Sequence, residues 1–239
     1  MGFGLDEWFR SWARKRKISR EKPEIWLLEN AQFGYIQIPK VATRSIQQCL
    51  ASFYVEKEQI ERPATWSKES IRLIEAKTAF HASHKKLSEV SKQHYIFAFV
   101  RNPYDRVYSA YKNKVLQPVK TGERNIFSNH GIQLGMPFDE FIDIVCDIPD
   151  NKIDRHLRSQ SWFLTYQGVL IPNYIGHLET FDEDWQVLSE KFYLPRPEHR
   201  NHTRNIQSDN TIDELNEKLK EKIFNRYRSD FELFGYASD

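Results

Sequence analysis

Cysteine is scarce in this sequence: Cys49 and Cys146 are the only two in 239 residues. Two thiols cannot build a disulfide framework, and the pattern fits reduced cysteines in a cytosolic protein. Long apolar runs are missing too. Nothing approaches the roughly 18 consecutive apolar residues of a transmembrane helix, and the first 20 residues lack an apolar core of signal-peptide length. The expectation is therefore a cytoplasmic protein without signal peptide or membrane anchor. Excess charge is absent as well. The 35 basic residues face 33 acidic ones, a net charge of +2, which argues against a nucleic-acid partner and requires any anion site to be local. There is no internal repeat and no low-complexity linker. The composition, 40% hydrophobic and 14% aromatic with 10 Pro and 9 Gly, is that of an ordinary globular chain and excludes a disordered one.

The pattern that remains is one of strands alternating with helices, which predicts an α/β fold with a central, mainly parallel sheet flanked by helices. Residues 1–32 read as an N-terminal helical, basic segment packed on a single domain of residues 33–239. In that segment Trp8, Phe9 and Trp12 stand beside Arg14-Lys15-Arg16-Lys17. A peripheral helix with solvated cations accounts for this; peripheral membrane contact is the alternative. The apolar run from Ile25 to Leu28 reads as an edge strand or as the end of that segment. Strands are expected at Phe33–Ile38, Tyr95–Val100 and Tyr174–Leu178, the second apolar throughout, as a strand buried on both faces must be. Helices are expected at Arg44–Tyr54, Ser67–Ala76 with Ser67 as N-cap, Lys85–Lys92, Asp105–Lys114, Pro137–Val145 and Asp182–Phe192 with Asp182 as candidate cap, and Ser159–Leu164 reads as the end of another helix. A last one, opened by a capping box of Thr211 and Glu214, should run to about Tyr227. The polar stretch 120–135 reads as a long loop, and Phe80-His81-Ala82-Ser83-His84 as a short polar segment.

Two strand-to-helix turns carry the chemistry. At Pro39-Lys40-Val41-Ala42-Thr43-Arg44-Ser45 a strand breaks and a helix begins, so unpaired backbone N–H groups and the helix dipole meet a lysine. Lys40, Thr43 and Ser45 suit a phosphate or sulfate; an ordinary surface turn is the alternative. The glycines of a Walker A loop are missing. At the second turn Arg101 leaves the apolar strand and Ser109 lies two turns into the next helix, a guanidinium fork and a hydroxyl suited to a phosphate monoester. A salt bridge of Arg101 to Asp105 is the alternative there, and Arg106 reads as an exposed, solvated residue.

Together, Ile38-Pro39-Lys40-Val41-Ala42-Thr43-Arg44-Ser45-Ile46 and Phe97-Ala98-Phe99-Val100-Arg101-Asn102-Pro103-Tyr104-Asp105-Arg106-Val107-Tyr108-Ser109-Ala110-Tyr111 resemble the carbohydrate sulfotransferases of the type 2 family. Two further stretches agree: Tyr174-Ile175-Gly176-His177-Leu178-Glu179 followed by Asp184, and Tyr227-x-x-Asp230-Phe231-x-x-Phe234-Gly235-Tyr236. The resemblance spans about residues 33 to 236. It implies a P-loop-NTPase-like sulfotransferase fold and the donor PAPS (3′-phosphoadenosine 5′-phosphosulfate). Lys40, Val41, Ala42, Thr43, Arg44 and Ser45 would form the 5′-phosphosulfate loop, and Arg101 and Ser109 would bind the 3′-phosphate. Many members have Thr-Ala-Gly-Thr-Ser or Thr-Gly-Ser-Thr-Ser after the Pro-Lys. Arg44 stands where a small or hydroxylic residue is usual, and is expected to point outward.

Sulfuryl transfer, like phosphoryl transfer, is mostly positioning and charge neutralisation. A cation at the leaving phosphate is the role Lys40 fits, and the acceptor hydroxyl needs a general base. The resemblance places a histidine ahead of the second strand: His81 matches best and His84 is the runner-up. It also places His156, Gln160, Glu179, His199 and Asn201 around an acceptor pocket for a glycan or glycoconjugate. No metal is expected, since no His, Cys or carboxylate set has ligand spacing. A P-loop-type kinase or NTPase and a non-catalytic nucleotide-binding module are the competing readings.

Overall fold

A computed structural model describes residue 18, residues 21–197 and residues 215–238. The expectations for the basic N-terminal stretch, for His199 and Asn201, and for a capping box at Thr211 and Glu214 lie outside these residues. The described chain divides into two compact units, one of residues 22–101 and 163–197, the other of 102–162 and 215–238 with residues 18 and 21. Among the described residues no helix is long and apolar enough to cross a membrane.

The first unit is built on a five-stranded sheet. β1 (Glu24–Leu28) and β2 (Phe33–Gln37) are joined by a short 3-10 turn at Glu29–Ala31. β3 (Ala79–His81), β4 (Tyr95–Val100) and β7 (Tyr174–His177) complete the order β3-β1-β2-β4-β7. A separate two-stranded hairpin pairs β5 (Thr165–Tyr166) with β6 (Val169–Leu170). The pairings β2–β4 and β4–β7 are parallel, whereas β1 is antiparallel to both β2 and β3.

This corrects the expectation of a mainly parallel sheet: by pairing it is mixed. The reason is the length of the β1–β2 connection, which suffices for a hairpin but not for the crossover of a dozen or more residues that parallel neighbours require. Because β3 reverses β1 again, β2, β3, β4 and β7 all run one way and end at one edge. The run Ile25–Leu28 is neither an edge strand nor a terminal segment but part of an interior strand, with Ile25 and Trp26 fully buried. The boundary expected at residue 32 falls inside the β1–β2 hairpin. The first residues of the stretch 80–84, read as a polar segment, likewise belong to β3.

Local signals account for most of the other elements. α1 (Thr43–Lys57) buries Ile46, Leu50 and Phe53, spaced four and three apart, and Phe53 meets Phe33 of β2 with ring centroids 5.5 Å apart. α2 (Lys68–Thr78) has the expected Ser67 cap, with Ser70 as its reciprocal partner. α3 (His84–Val90) is capped by Ser83. The residues Ile96 to Val100 of β4 are fully buried, as a two-sided strand should be. α8 (Phe181–Phe192) lays Phe181 and Trp185 on Phe99, at 4.9 and 6.1 Å between ring centroids. Its N-cap is Thr180, not Asp182. Gly176 of β7 is required by close approach: a Cβ there would lie 2.5 Å from the Phe99 ring.

The second unit is helical. α4 (Pro103–Tyr111) starts behind Asn102, whose side chain accepts the Tyr104 N–H at 2.9 Å. It runs on through a π-helical turn at Lys112–Leu116 into α5 (Gln117–Thr121), beyond the end expected at Lys114. The loop expected over 120–135 is anchored, since Phe127 and Ile132 are buried in a core shared with Phe141 and Ile142 of α6 (Phe138–Cys146). α7 (Gln160–Leu164) follows and spans the division between the units at residues 162 and 163. α9 (Glu217–Phe234) is capped by Asn216 and continues past Tyr227, where the backbone departs from helical angles (φ −112, ψ 22).

A buried polar network ties these helices to residues 157–161. Asp230, fully buried, accepts the backbone N–H groups of Gln160 and Ser161, each at 2.7 Å. The Tyr227 hydroxyl donates to the Leu157 carbonyl at 2.8 Å, and the Arg106 guanidinium to the Arg158 carbonyl at 2.7 Å. Arg106 is thus buried and structural, not the solvated residue the sequence suggested. Burial pushes the Asp230 carboxyl above its ordinary range, against the opposing pull of Arg106. Removing the carboxylate strands two backbone donors and a buried cation. Asp230→Ala is therefore expected to lose about 3–5 kcal/mol of stability, as measured by urea denaturation; a loss within about 0.5 kcal/mol, the size of an ordinary surface substitution, would contradict this account.

Candidate active site

The site begins where β2 ends. From Ile38 to Ala42 the chain turns sharply, and both Lys40 (φ 75) and Ala42 (φ 54) adopt the left-handed conformation without being glycine. Each costs on the order of 1–2 kcal/mol. Turns that alternate right- and left-handed residues can gather successive backbone N–H groups into an anion-binding concavity, a pattern that the left-handed positions 40 and 42 fit. The Thr43 hydroxyl donates to the Ile38 carbonyl at 2.8 Å and closes the neck of the loop. The N–H groups of Ser45 and Ile46 donate to the Ala42 carbonyl at 2.9 and 3.2 Å and start α1. No side chain caps this helix and no acidic residue stands in its first turn. The positive end of its dipole thus adds to the charge of Lys40.

The side chains of the loop divide sharply. Lys40, Ala42, Thr43 and Ser45 are half-buried, and Arg44 is exposed at the second helical position, in keeping with the outward orientation expected for it. Val41 is fully buried, so only its backbone is available to a ligand.

His81 belongs to the same edge of the sheet. In the antiparallel register Glu24 of β1 pairs with His81 on one side and with Gln37 on the other, and Gln37 stands three residues before Lys40. The exposed His81 ring has Nδ1 3.2 Å from the Lys22 carbonyl. A carbonyl only accepts, so Nδ1 carries the hydrogen and Nε2 is the basic atom. His84, its alternative, is half-buried at the first position of α3. Arg101 directly follows β4 and is half-buried.

Beyond β7, Glu179 is exposed. The acidic residue of that motif, Asp184, is a brace: it accepts from the Tyr174 hydroxyl at 2.6 Å, the His177 N–H at 2.8 Å and the Thr180 hydroxyl at 2.7 Å. Burial, together with the neighbouring Asp184 carboxylate, pushes the Tyr174 phenol up.

The remaining candidates lie in the helical unit. Ser109 is half-buried on α4. His156 has Nδ1 2.6 Å from an Asp154 oxygen that also accepts its backbone N–H at 2.9 Å. Burial raises the Asp154 carboxyl, but these hydrogen bonds outweigh it and hold the group below the usual carboxylate range. Gln160 is fully buried, its backbone held by Asp230, so its side chain presents no surface to an acceptor; this corrects its inclusion among the pocket residues. Among the described residues no three His, Cys, Asp or Glu side chains gather as metal ligands. Sequence reasoning did not single out the hydrogen-bonded side chains of Glu24, Gln37 and Gln47, although a signal was present: Glu24 and Gln37 each continue an alternating apolar face, Leu28–Trp26 and Phe33–Tyr35, with a polar residue.

The strain in the loop has a measurable consequence. Ala42→Gly relieves the left-handed penalty and is expected to raise stability by about 0.5–1 kcal/mol, less than the full penalty because glycine also loosens the unfolded chain. Ala42→Val, β-branched at a positive φ, should lose about 1–3 kcal/mol. Urea denaturation of both variants checks this; equal stability of the two would refute it.

The Sulfotransferase family matches residues 23–237, a span that runs through both units. Among curated proteins the chain is 24% identical to carbohydrate sulfotransferase 11 of Mus musculus, over 94% of this chain and 71% of that protein. It is 25% identical to carbohydrate sulfotransferase 12 of Mus musculus, over 65% of this chain and 42% of that protein. Carbohydrate sulfotransferase 12 of Xenopus laevis is 24% identical, over 84% and 57% respectively. No solved structure matches the chain at a significant level. The family match runs over nearly the whole length and through the strand-to-helix turn that carries Lys40: the chain belongs to the Sulfotransferase family and is a sulfotransferase.

Proposed function

We propose that the protein transfers a sulfuryl group from PAPS to a hydroxyl of a carbohydrate or glycoconjugate, on a P-loop-like fold. The observation that carries this reading is the Lys40–Ala42 turn: two left-handed residues and an uncapped helix start, with His81 on the same sheet edge. The residues present fit the donor. The backbone of Lys40 to Ser45 and the Lys40 ammonium would hold the 5′-phosphosulfate, and Arg101 and Ser109 the 3′-phosphate that distinguishes PAPS from ATP-like donors. The carbohydrate acceptor is supported by the names of the relatives.

In the proposed step the acceptor oxygen forms a bond to sulfur as the bond from sulfur to the phosphate oxygen breaks, in line. The acceptor proton passes to Nε2 of His81, and the electron pair of the broken bond goes to the phosphate. Lys40 neutralises the charge developing there. His156 and Glu179 are the acceptor-side candidates among the described residues.

Calorimetry with 3′-phosphoadenosine 5′-phosphate (PAP) and ADP, and transfer from radiolabelled PAPS to a panel of unsulfated glycans, test this. PAP is expected to bind well and ADP weakly. Lys40→Ala and Arg101→Ala should nearly abolish transfer. His81→Ala should lower it by about 100-fold or more with PAP affinity retained. A wild-type protein that ignores PAP would end this reading.

A further inference from the structure

In the helical unit the turn at residues 153–158 is pinned from several sides. Ile153 and Leu157 are fully buried. The Arg158 side chain donates back to the Ile153 carbonyl at 3.1 Å, and the Tyr227 hydroxyl donates to the Leu157 carbonyl at 2.8 Å. The Leu157 N–H in turn donates to the Asp154 carbonyl at 2.9 Å. The side chains of Asp154 and His156 are therefore carried by a backbone with little freedom, as a preorganised site requires.

One oxygen of Asp154 receives both the His156 backbone N–H, at 2.9 Å, and ring Nδ1, at 2.6 Å. Burial opposes a charge on Asp154, but these hydrogen bonds hold its carboxyl below the usual carboxylate range. A carboxylate only accepts, so Nδ1 must carry a hydrogen, and Nε2 of the neutral ring presents a bare lone pair. The buried Phe127 ring stands edge-on to the imidazole, 6.3 Å between centroids. The His156 side chain is still 26% exposed, and among the described residues nothing donates to Nε2. A ring fixed on one side and open on the other is built to receive a hydrogen. The phosphates and sulfate of the donor bring only acceptor oxygens, whereas each hydroxyl of a sugar brings a donor.

We propose that Nε2 of His156 accepts a hydrogen bond from a non-reacting hydroxyl of the sugar acceptor, and that Asp154 is the positioning residue that fixes the tautomer and plane of the His156 ring. The inference rests on the reading of the protein as a carbohydrate sulfotransferase with His81 as the base. It gives His156 a stated task, holding the sugar rather than taking its proton, and adds Asp154, which stands in neither of the turns that hold the donor.

The test uses the full chain. Ring-nitrogen NMR of the wild type, with the His156 signals identified by their loss in His156→Ala, is expected to show the neutral ring with its hydrogen on Nδ1. A neutral ring with its hydrogen on Nε2 would overturn the proposal. Asp154→Ser keeps a hydroxyl for the His156 backbone N–H but withdraws the carboxylate from the ring. On an accepted glycan it should raise KM about threefold to tenfold, the worth of one hydrogen bond, with kcat and PAP affinity within about twofold. His156→Ala should do likewise, and His156→Gln, whose amide oxygen can stand in for Nε2, should recover part of the loss. In the His156→Ala background Asp154→Ser should add nothing further, since its effect runs through the ring. An unchanged KM in Asp154→Ser, or a kcat about 100-fold lower in His156→Ala with KM unchanged, would overturn the proposal while leaving sulfuryl transfer intact. A wild type that binds no PAP or sulfates no glycan would instead strike the underlying reading, and this inference with it. If Asp154→Ser does not fold, the wild-type tautomer and the KM of His156→Ala still decide: a hydrogen on Nε2, or an unchanged KM, would overturn the proposal.

Discussion

The register of β1 is the constraint on which the candidate site depends. This strand runs against both of its neighbours and pairs one residue, Glu24, with Gln37 on one side and His81 on the other. Two segments far apart in the chain, the strand leading into the Lys40 loop and the strand carrying the histidine, are thereby measured from the same point. A slip by one residue would turn Trp26 and Leu28 to the opposite face and take Glu24 with them. The apolar partners Trp26–Tyr35 and Leu28–Phe33 resist that slip, so hydrophobic burial indirectly fixes where the polar groups stand.

In the proposed reading the Lys40 loop concentrates positive potential for the donor. The left-handed backbone at Lys40 and Ala42, the uncapped start of α1 and the lysine charge all act in one direction. The left-handed backbone at both positions carries strain. In the proposed reading a bound sulfate or phosphate at this turn would offset that cost. The sheet core underneath, where the Phe97 ring meets those of Phe33 and Phe99, holds the strained turn in place. In the helical unit buried charge serves the fold. Asp230, Arg106 and Tyr227 secure the backbone of residues 157–161, and the C-terminal motif around Asp230 has this structural use.

The local structure of the candidate site was largely legible because it is set by near neighbours in the chain. The Pro39–Ser45 turn, the exit of Arg101 from β4 and the placement of Ser109 on a helix all follow from residues within a few positions of each other. The readings that failed depend on burial. Gln160 and Arg106 look like solvent-facing polar residues until distant partners enclose them, and Phe127 and Ile132 convert an apparently loose stretch into part of a core. The PAPS donor, by contrast, was suggested by motif resemblance, and the family match supports a sulfate donor without identifying it.

By itself the sequence determined the strand Tyr95–Val100, the periodicity of α1, the Ser67 cap and the cation at each strand-to-helix turn. These features arise from side-chain patterning and backbone preferences that act over one or two turns of chain. Tertiary structure alone decided that β1 lies inside the sheet, that β3 exists as a strand, and that Glu24 is buried between Gln37 and His81. The physical reason is that a strand has no hydrogen-bond partners of its own. Its position, and the face each residue presents, come into being only when segments remote in sequence pair.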